Sequence, residues 1–182
     1  MRIITGKYKG RSLFTVDGRT TRPTTSYNRE VIFSVYQDYE GKRVLDLFAG
    51  TGSFGLEALS RGAVWVDFVE FAAPAISALL KNIGKLGCGE SCHVWRKRVE
   101  AFLNNASGSW DVIFLDPPYA KNLVNPTLGL IFERSLLAEG GVIIAEHSPR
   151  EPIALEWEKL VLRSKTGKTS SFTLLSESPS TQ

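Results

Sequence analysis

The sequence predicts a doubly wound α/β fold, in which a mostly parallel sheet is covered by helices on both faces. Three observations support this prediction. From Lys42 onward, short apolar segments alternate with segments of helical length. The first apolar segment runs into a glycine-rich turn, as a parallel strand does before a nucleotide-binding helix. After Glu146 two strand-like segments follow one another without a helix between them, which predicts a closing antiparallel hairpin.

The predicted elements can be placed along the chain in order. Residues 1–14 alternate loosely between apolar and polar positions around Gly6 and Gly10, and they predict a small hairpin appended to the domain. A polar loop around Pro23 precedes a helix over 27–39. The predicted strands are 43–48, 64–70, 92–96, 110–115 and 141–146. The helices between them are 53–61, 73–86, 99–104 and 124–137, and the closing hairpin joins 159–165 to 169–175.

The length and composition predict one domain. A chain of 182 residues, 43% of them hydrophobic, can close a single large core. We expect a basic N-terminal hairpin and loop over 1–26, an α/β core over 27–175 and a flexible, serine-rich tail over 176–182. No apolar run approaches the roughly 20 residues of a membrane helix, and the N-terminus turns polar at once. We therefore expect a cytoplasmic protein that contacts no membrane.

Positive charge is concentrated near the N-terminus. The chain carries a net charge of +3, yet residues 1–29 contain seven basic residues and one acidic residue. The remainder of the chain is therefore slightly acidic. A positive end on an acidic body suits a protein that approaches a phosphate backbone. The alternative is a basic surface that simply faces solvent.

The first predicted strand ends in a glycine-rich turn. Gly50, Gly52 and Gly55 match G-x-G-x-x-G, and Glu70 follows at the end of the next strand, where a carboxylate can hold ribose hydroxyls. By pattern alone this turn could bind NAD. Asp46 argues against a dinucleotide, because a carboxylate there opposes a pyrophosphate and suits a sulfonium or ammonium group. S-adenosylmethionine carries both cations and is the expected cofactor, with a turn that binds no ligand as the alternative.

A second motif lies at the same predicted edge of the sheet. Asp116, Pro117, Pro118 and Tyr119 follow an apolar strand, and the prolines fix the chain direction while leaving carbonyl acceptors. Acceptors beside an aromatic plate suit an exocyclic amino group on a planar base. Such an amine is a poor nucleophile, because its lone pair is delocalised, and hydrogen bonds from its N–H groups would steer it toward a methyl donor. The alternative is a rigid turn without a ligand.

Cys88, Cys92 and His93 offer three candidate metal ligands, where a closed zinc site needs four. We therefore expect two ordinary thiols of a reducing compartment and no metal site.

The two motifs belong to a larger set of segments along the chain. The set consists of Arg2-Ile3-Ile4, Gly10-Arg11, Arg22-Pro23-Thr24, 48–52, 55–62, 116–119, Glu146-His147 and the hairpin around Gly167. Together they resemble the bacterial 16S rRNA guanine-N2 methyltransferase family over nearly the whole chain. The resemblance implies a Rossmann-like class I S-adenosylmethionine-dependent methyltransferase fold. It also implies a monomer that methylates the N2 amino group of a guanine in 16S rRNA, within a small-subunit ribonucleoprotein particle.

The resemblance assigns roles to individual residues. The expected catalytic residues are Asp116, Pro117, Pro118 and Tyr119. The expected cofactor-binding residues are Asp46, Ala49, Gly50, Thr51, Gly52, Glu70, Arg98, Val99 and Asp116. The expected RNA-binding residues are Lys9, Arg11, Arg22, Thr24 and Arg29. Arg98 stands where the family often has Asp or Asn, and because Arg cannot accept a hydrogen bond, backbone groups of Arg98 and Val99 are expected to meet the adenine.

Two other functions remain open at this point. The first is an amino-methyltransferase that acts on another nucleic acid, for example on adenine N6 in DNA or RNA. A DNA enzyme usually carries a separate target-recognition domain, for which 182 residues leave no room. The second is a non-catalytic RNA-binding relative, which the presence of Asp46, Asp116 and Tyr119 disfavours.

Overall fold

The structure is a computed structural model that describes residues 1–16, 26–118 and 121–177. The helices of these residues are α1 (Ser26–Val35), α2 (Ser53–Ser60), α3 (Ala73–Leu86), α4 (Val99–Leu103) and α5 (Val124–Glu133). The strands are β1 (Arg43–Leu47), β2 (Trp65–Glu70), β3 (Cys92–Arg96), β4 (Trp110–Leu115), β5 (Leu137–His147), β6 (Val161–Thr166) and β7 (Ser171–Leu175). Short 3-10 helices cover Gly89–Ser91 and Leu155–Leu160.

The described strands form one seven-stranded sheet in the order β3-β2-β1-β4-β5-β7-β6. Neighbours from β3 to β5 pair in parallel, and β7 runs antiparallel between β5 and β6. The predicted α/β fold with a closing antiparallel hairpin is therefore confirmed. Strand β1 pairs with β2 on one side and β4 on the other, so the strand order reverses here. Ligands of open α/β sheets bind at such a point, beyond the carboxyl ends of the strands.

Two apolar layers enclose the sheet. Phe33 of α1 and Leu79 of α3 pack with Val44 on one face. Leu128 of α5 packs with Leu45 on the other. Adjacent residues of β1 thus enter different cores, which is why the central strands are apolar at nearly every position.

The N-terminal segment folds back on itself and is bound to α2. Arg2 and Ser12 form an antiparallel bridge, although no longer ladder develops. The Glu57 carboxylate, which is fully buried, accepts hydrogen bonds from the backbone N–H groups of Ile4 and Thr5 at 2.7 and 3.0 Å. Ser60 Oγ accepts another from the N–H of Tyr8. These bonds to a rigid helix hold the basic segment in a defined place.

The predicted ends of two helices were wrong because tertiary packing overrides the local pattern. The helix over 27–39 ends at Val35, and the chain then turns so that fully buried Tyr39 packs on Phe33, with ring centroids 5.3 Å apart. The helix over 124–137 ends at Glu133, since Ser135 adopts a positive φ of 52° and Leu137 already pairs with the start of β4.

The closing hairpin is also shorter than expected. The strand predicted over 159–165 begins at Val161, because Leu155–Leu160 forms a 3-10 helix, and its partner begins at Ser171.

No helix of the described residues is long and apolar enough to cross a membrane.

Candidate functional site

The glycine turn between β1 and α2 is shaped by close packing. Gly52 adopts a φ of 80°, and a Cβ added there would lie 2.3 Å from a methyl carbon of Leu79. A Cβ on Gly55 would lie 2.4 Å from the Phe68 ring of β2. Larger residues would push α2 away from the sheet, so these glycines keep the amino terminus of α2 at the strand ends.

Phe48, at the start of this turn, adopts a φ of 59°. A non-glycine residue in the left-handed region costs about 1–2 kcal/mol, and such residues cluster at functional sites. Backbone hydrogen bonds of the neighbouring residues stabilise this conformation. Ala49 N–H donates to the Val69 carbonyl, and Gly52 N–H donates to the Ala49 carbonyl, at 3.1 and 2.8 Å.

Glu70 connects the turn to the end of β2. Its Oε2 atom accepts a hydrogen bond from the Gly50 N–H at 2.9 Å, and Oε1 accepts from the N–H groups of Phe71 and Ala72. The carboxylate therefore lies at the carboxyl edge of the sheet, where the sequence placed it. It is mostly buried and fixed from two sides, which suits a group that orients a ligand.

Asp46 lies near the end of β1 and is only 1% exposed. Its Oδ2 atom accepts a hydrogen bond from the Gly55 N–H at 2.9 Å, so part of the carboxylate holds α2. Burial raises the pKa of Asp46 to about 7, although the Gly55 bond lowers it and the nearby charge of Glu70 raises it further. A cation beside Asp46 would favour its ionised form.

Asn82 of α3 is a site residue that the sequence analysis missed. It is fully buried, and its Nδ2 atom donates to the carbonyls of Thr51 and Phe14 at 3.0 and 3.1 Å, while Oδ1 accepts from the Phe14 N–H at 2.7 Å. Asn82 thus ties the glycine turn to the N-terminal segment. A polar residue between Leu79 and Leu86 on an apolar helix stripe was the available signal.

Asp116 and Pro117 lie beside this turn. Leu47 pairs with Leu115, so Asp116 comes level with Phe48 on the neighbouring strand. Asp116 is half-buried, Pro117 is buried and Pro118 is exposed, while Tyr119 lies outside the described residues. The two motifs singled out in the sequence therefore share one edge of the sheet.

Arg98 and Phe71 meet at the same edge. Arg98 follows β3, and its guanidinium carbon lies 4.7 Å from the centroid of the Phe71 ring. Phe71 is 55% exposed and directly follows Glu70, while Val99 is buried as the first residue of α4. Arg98 and Val99 were predicted from the sequence and Phe71 was not; the available signal for Phe71 was an apolar side chain just beyond a strand end.

The predicted RNA-binding residues are less completely placed. Lys9 and Arg11 are exposed on the N-terminal segment, and Arg29 lies within α1. Arg22 and Thr24 lie outside the described residues.

Two further features lie away from this edge. A cleft of about 500 Å³ among the described residues is lined by Lys7, Glu40 and Arg61 at the opposite edge of the sheet, so it is not the site built above. The thiols of Cys88 and Cys92 are buried and not joined in a disulfide, and the described residues hold no cluster of three metal-ligating side chains.

Comparison with known proteins identifies the family. The family described as "Conserved hypothetical protein 95" matches residues 1–175. The chain belongs to this family. It is 43% identical to "Putative rRNA methyltransferase YlbH" of Bacillus subtilis, over 81% of this chain and 82% of that protein. It is 33% identical to "Ribosomal RNA small subunit methyltransferase D" of Haemophilus influenzae, over 96% of this chain and 92% of that protein.

A solved structure shares the fold of this chain. "Putative methyltransferase yhhF" from Escherichia coli superposes with a TM-score of 0.83 and 30% identity, over 96% of each chain. The predicted resemblance and the class I methyltransferase fold are therefore confirmed, and the chain is an enzyme of the methyltransferase class. The alternative that the glycine turn belongs to an NAD-binding domain is set aside.

Proposed function

We propose that this protein transfers the methyl group of S-adenosylmethionine to the exocyclic N2 amino group of a guanine in small-subunit (16S) ribosomal RNA. One observation carries the proposal. The strained glycine turn with Glu70 and the Asp116-Pro117-Pro118 segment follow neighbouring strands at the switch point of the sheet, in a chain that is 33% identical to "Ribosomal RNA small subunit methyltransferase D" of Haemophilus influenzae.

The residues at this edge fit the cofactor. The Glu70 carboxylate, fixed by three backbone N–H groups, would accept hydrogen bonds from the ribose hydroxyls. Phe71 and Arg98 present a flat, exposed surface next to it for the adenine. The carboxylate of Asp46 would stabilise the cationic end, with Ala49, Gly50, Thr51 and Gly52 providing the turn around it.

The reaction needs an aligned amine more than an acid or base. The cofactor supplies a methyl group activated by attachment to a cationic sulfur. Asp116 and the Pro117 carbonyl would accept hydrogen bonds from the guanine amino group, which orients the nitrogen lone pair toward that methyl group. The new N–C bond would replace the S–C bond of the donor, so S-adenosylhomocysteine would be the leaving group, and the proton lost by the methylated amine would pass to water. We assign the stacking of the base to Pro118 and Tyr119.

The substrate is best explained as a folded ribosomal RNA or ribonucleoprotein. A base inside a duplex cannot present its amino group in line with a methyl donor, so the target guanine must be unpaired or flipped. Lys9, Arg11, Arg22, Thr24 and Arg29 would contact the surrounding RNA. We further propose that the protein acts as a monomer in the cytoplasm, where the small subunit is assembled.

Nucleoside analysis tests this function directly. Small-subunit RNA from cells with and without the gene would be digested, and the loss of one N2-methylguanosine per RNA is the expected result. The purified protein should restore it in small-subunit particles supplied with S-adenosylmethionine, and duplex RNA should be a poor substrate. N6-methyladenosine in place of N2-methylguanosine would support the adenine alternative, and no methylated product with any RNA would support a non-catalytic relative.

A further inference from the structure

Phe14 is an exposed aromatic side chain whose backbone is held rigidly. Its side chain is 48% exposed, yet both its N–H and its carbonyl are hydrogen-bonded to the buried side chain of Asn82. A buried amide that satisfies both groups of one residue fixes the direction of its Cα–Cβ bond. The chain thus keeps a large apolar ring at the surface in a fixed direction.

A cation is fixed beside this ring. Lys85 of α3 lies with its ammonium nitrogen 5.1 Å from the centroid of the Phe14 ring, and the same nitrogen donates a hydrogen bond to Ser12 Oγ at 2.7 Å. A lysine held over an aromatic ring by a second bond is pre-positioned, so little side-chain entropy remains to be lost when an anion binds.

The surrounding segments carry positive charge and no carboxylate. Residues 1–16 contain Arg2, Lys7, Lys9 and Arg11, and α3 contains Lys81 and Lys85. Neither segment contains Asp or Glu. Lys7 lines the cleft at the other edge of the sheet, whereas Lys85 lies beside the Phe14 ring and Arg2 is bridged to Ser12, the residue that Lys85 contacts. An exposed aromatic ring beside such cations meets the two requirements of single-stranded nucleic acid binding, which are cations for the phosphates and a flat face for a base.

We propose that Phe14 is a stacking platform for an unpaired RNA base, with Lys85 contacting a phosphate of the same strand. This proposal deepens the proposed function, since it adds a second RNA contact besides the target guanine. Asn82 also donates to the Thr51 carbonyl, so one buried side chain holds both the platform and the turn that binds the cofactor. The second base is therefore held at a constant position relative to the methyl donor, which aligns the target strand.

The platform is tested with an unstructured, fluorescently labelled RNA of about 12 nucleotides, a length that such sites accommodate. Phe14→Ala should weaken RNA affinity by about fivefold to one hundredfold, the effect of removing one base stack. Phe14→Leu should weaken it nearly as much, since leucine is apolar but not flat, whereas Phe14→Trp should retain wild-type affinity. Leu155→Ala, which removes another highly exposed apolar side chain, is the control and should leave affinity unchanged.

Salt dependence separates stacking from charge. The log-log slope of affinity against salt should be unchanged in Phe14→Ala and should fall by about 0.7 in Lys85→Gln, the value for one phosphate contact on a single strand. Thermal melting confirms that each variant is folded. Wild-type affinity in Phe14→Ala, equal affinity in the Leu and Trp variants, or no binding of this RNA by the wild-type protein would each overturn the platform.

This result is independent of the methylation assay. If the wild-type protein forms N2-methylguanosine while Phe14→Ala binds RNA normally, the platform fails and the proposed function stands. If no N2-methylguanosine forms while Phe14→Ala loses affinity and Phe14→Trp keeps it, the function fails and the platform stands.

Discussion

The Glu70 carboxylate accepts a hydrogen bond from the backbone N–H of Gly50 at 2.9 Å. This bond joins the end of β2 to the glycine turn after β1, so the two halves of the proposed cofactor site form one unit. The carboxylate also accepts two N–H groups from its own strand end. Replacing it therefore changes both a ligand contact and the shape of the turn.

Glu70→Gln should weaken cofactor binding by about 1.5–3 kcal/mol, because an amide NH₂ would face a backbone N–H in place of one acceptor oxygen. Calorimetry with S-adenosylmethionine measures this change. Glu90→Gln, an exposed change in the Gly89–Ser91 turn, is the matched control and should bind as the wild-type protein does. Unchanged affinity in a folded Glu70→Gln protein would remove Glu70 from the site.

The stability of the protein without cofactor should depend on pH through Asp46. Burial raises the pKa of Asp46 to about 7 in the folded state, above its ordinary value near 4 in the unfolded chain. The folded state therefore binds this proton more tightly. Protonation of Asp46 thus stabilises the folded state. This stabilisation is fully present below about pH 4 and is lost as the pH rises through 7.

Asp46→Asn removes this titration and keeps an oxygen that can accept the Gly55 N–H. The free energy of unfolding, measured by urea titration between pH 5 and 8, should fall with pH more steeply in the wild-type protein than in the variant. Parallel curves for the two proteins would show that Asp46 is already ionised at pH 5.

Asp116→Ala should slow methyl transfer on the order of a hundredfold, because one acceptor for the amino group is removed at the reacting nitrogen. Asp116→Asn retains one acceptor oxygen and should be slowed less. Single-turnover rates with saturating RNA and cofactor compare the three proteins. A wild-type rate in folded Asp116→Ala would show that the amine is aligned by other groups.

The basic segment should contribute by neutralising RNA phosphates. Replacing Lys9, Arg11 and Arg22 together with Gln should lower the log-log salt slope of RNA binding by about 0.7 for each phosphate of a single strand that is no longer neutralised. Cofactor affinity should be unchanged. Lys165→Gln with Lys168→Gln, two exposed changes in the β6–β7 hairpin, is the control. An unaltered slope in the triple variant would place the RNA on another surface.

Asp67 should be important for stability although it is remote from the proposed chemistry. Its carboxylate is 4% exposed and accepts hydrogen bonds from the indole N–H groups of Trp65, Trp95 and Trp110, at 2.9, 2.8 and 2.9 Å. Asp67→Asn would turn an NH₂ group toward these donors and should cost about 2–4 kcal/mol. Tryptophan fluorescence during urea unfolding measures this destabilisation.

Asp38→Asn is the matched control for Asp67. The Asp38 side chain is 69% exposed and pairs only loosely with Lys42 at 3.6 Å, so its removal should change stability by less than about 1 kcal/mol. Equal stability of Asp67→Asn and the wild-type protein would show that the three indoles find other acceptors.

The sequence by itself determined the α/β fold, the glycine turn and the motif at Asp116. These features depend on local properties: short, nearly continuous apolar strands, glycines where no Cβ fits, and prolines that fix the chain direction. Because parallel strands bring their carboxyl ends to one edge, placing Asp46, Glu70 and Asp116 together required only the order of the elements.

Only the tertiary structure decided which distant side chains complete the site. Asn82 contacts Phe14, 68 positions away, and Thr51, 31 positions away. Arg98 stacks on Phe71, 27 positions away. The end of α1 was likewise decided by the packing of Tyr39. The local sequence pattern does not indicate such partners, because each contact depends on how elements distant in the sequence pack against one another.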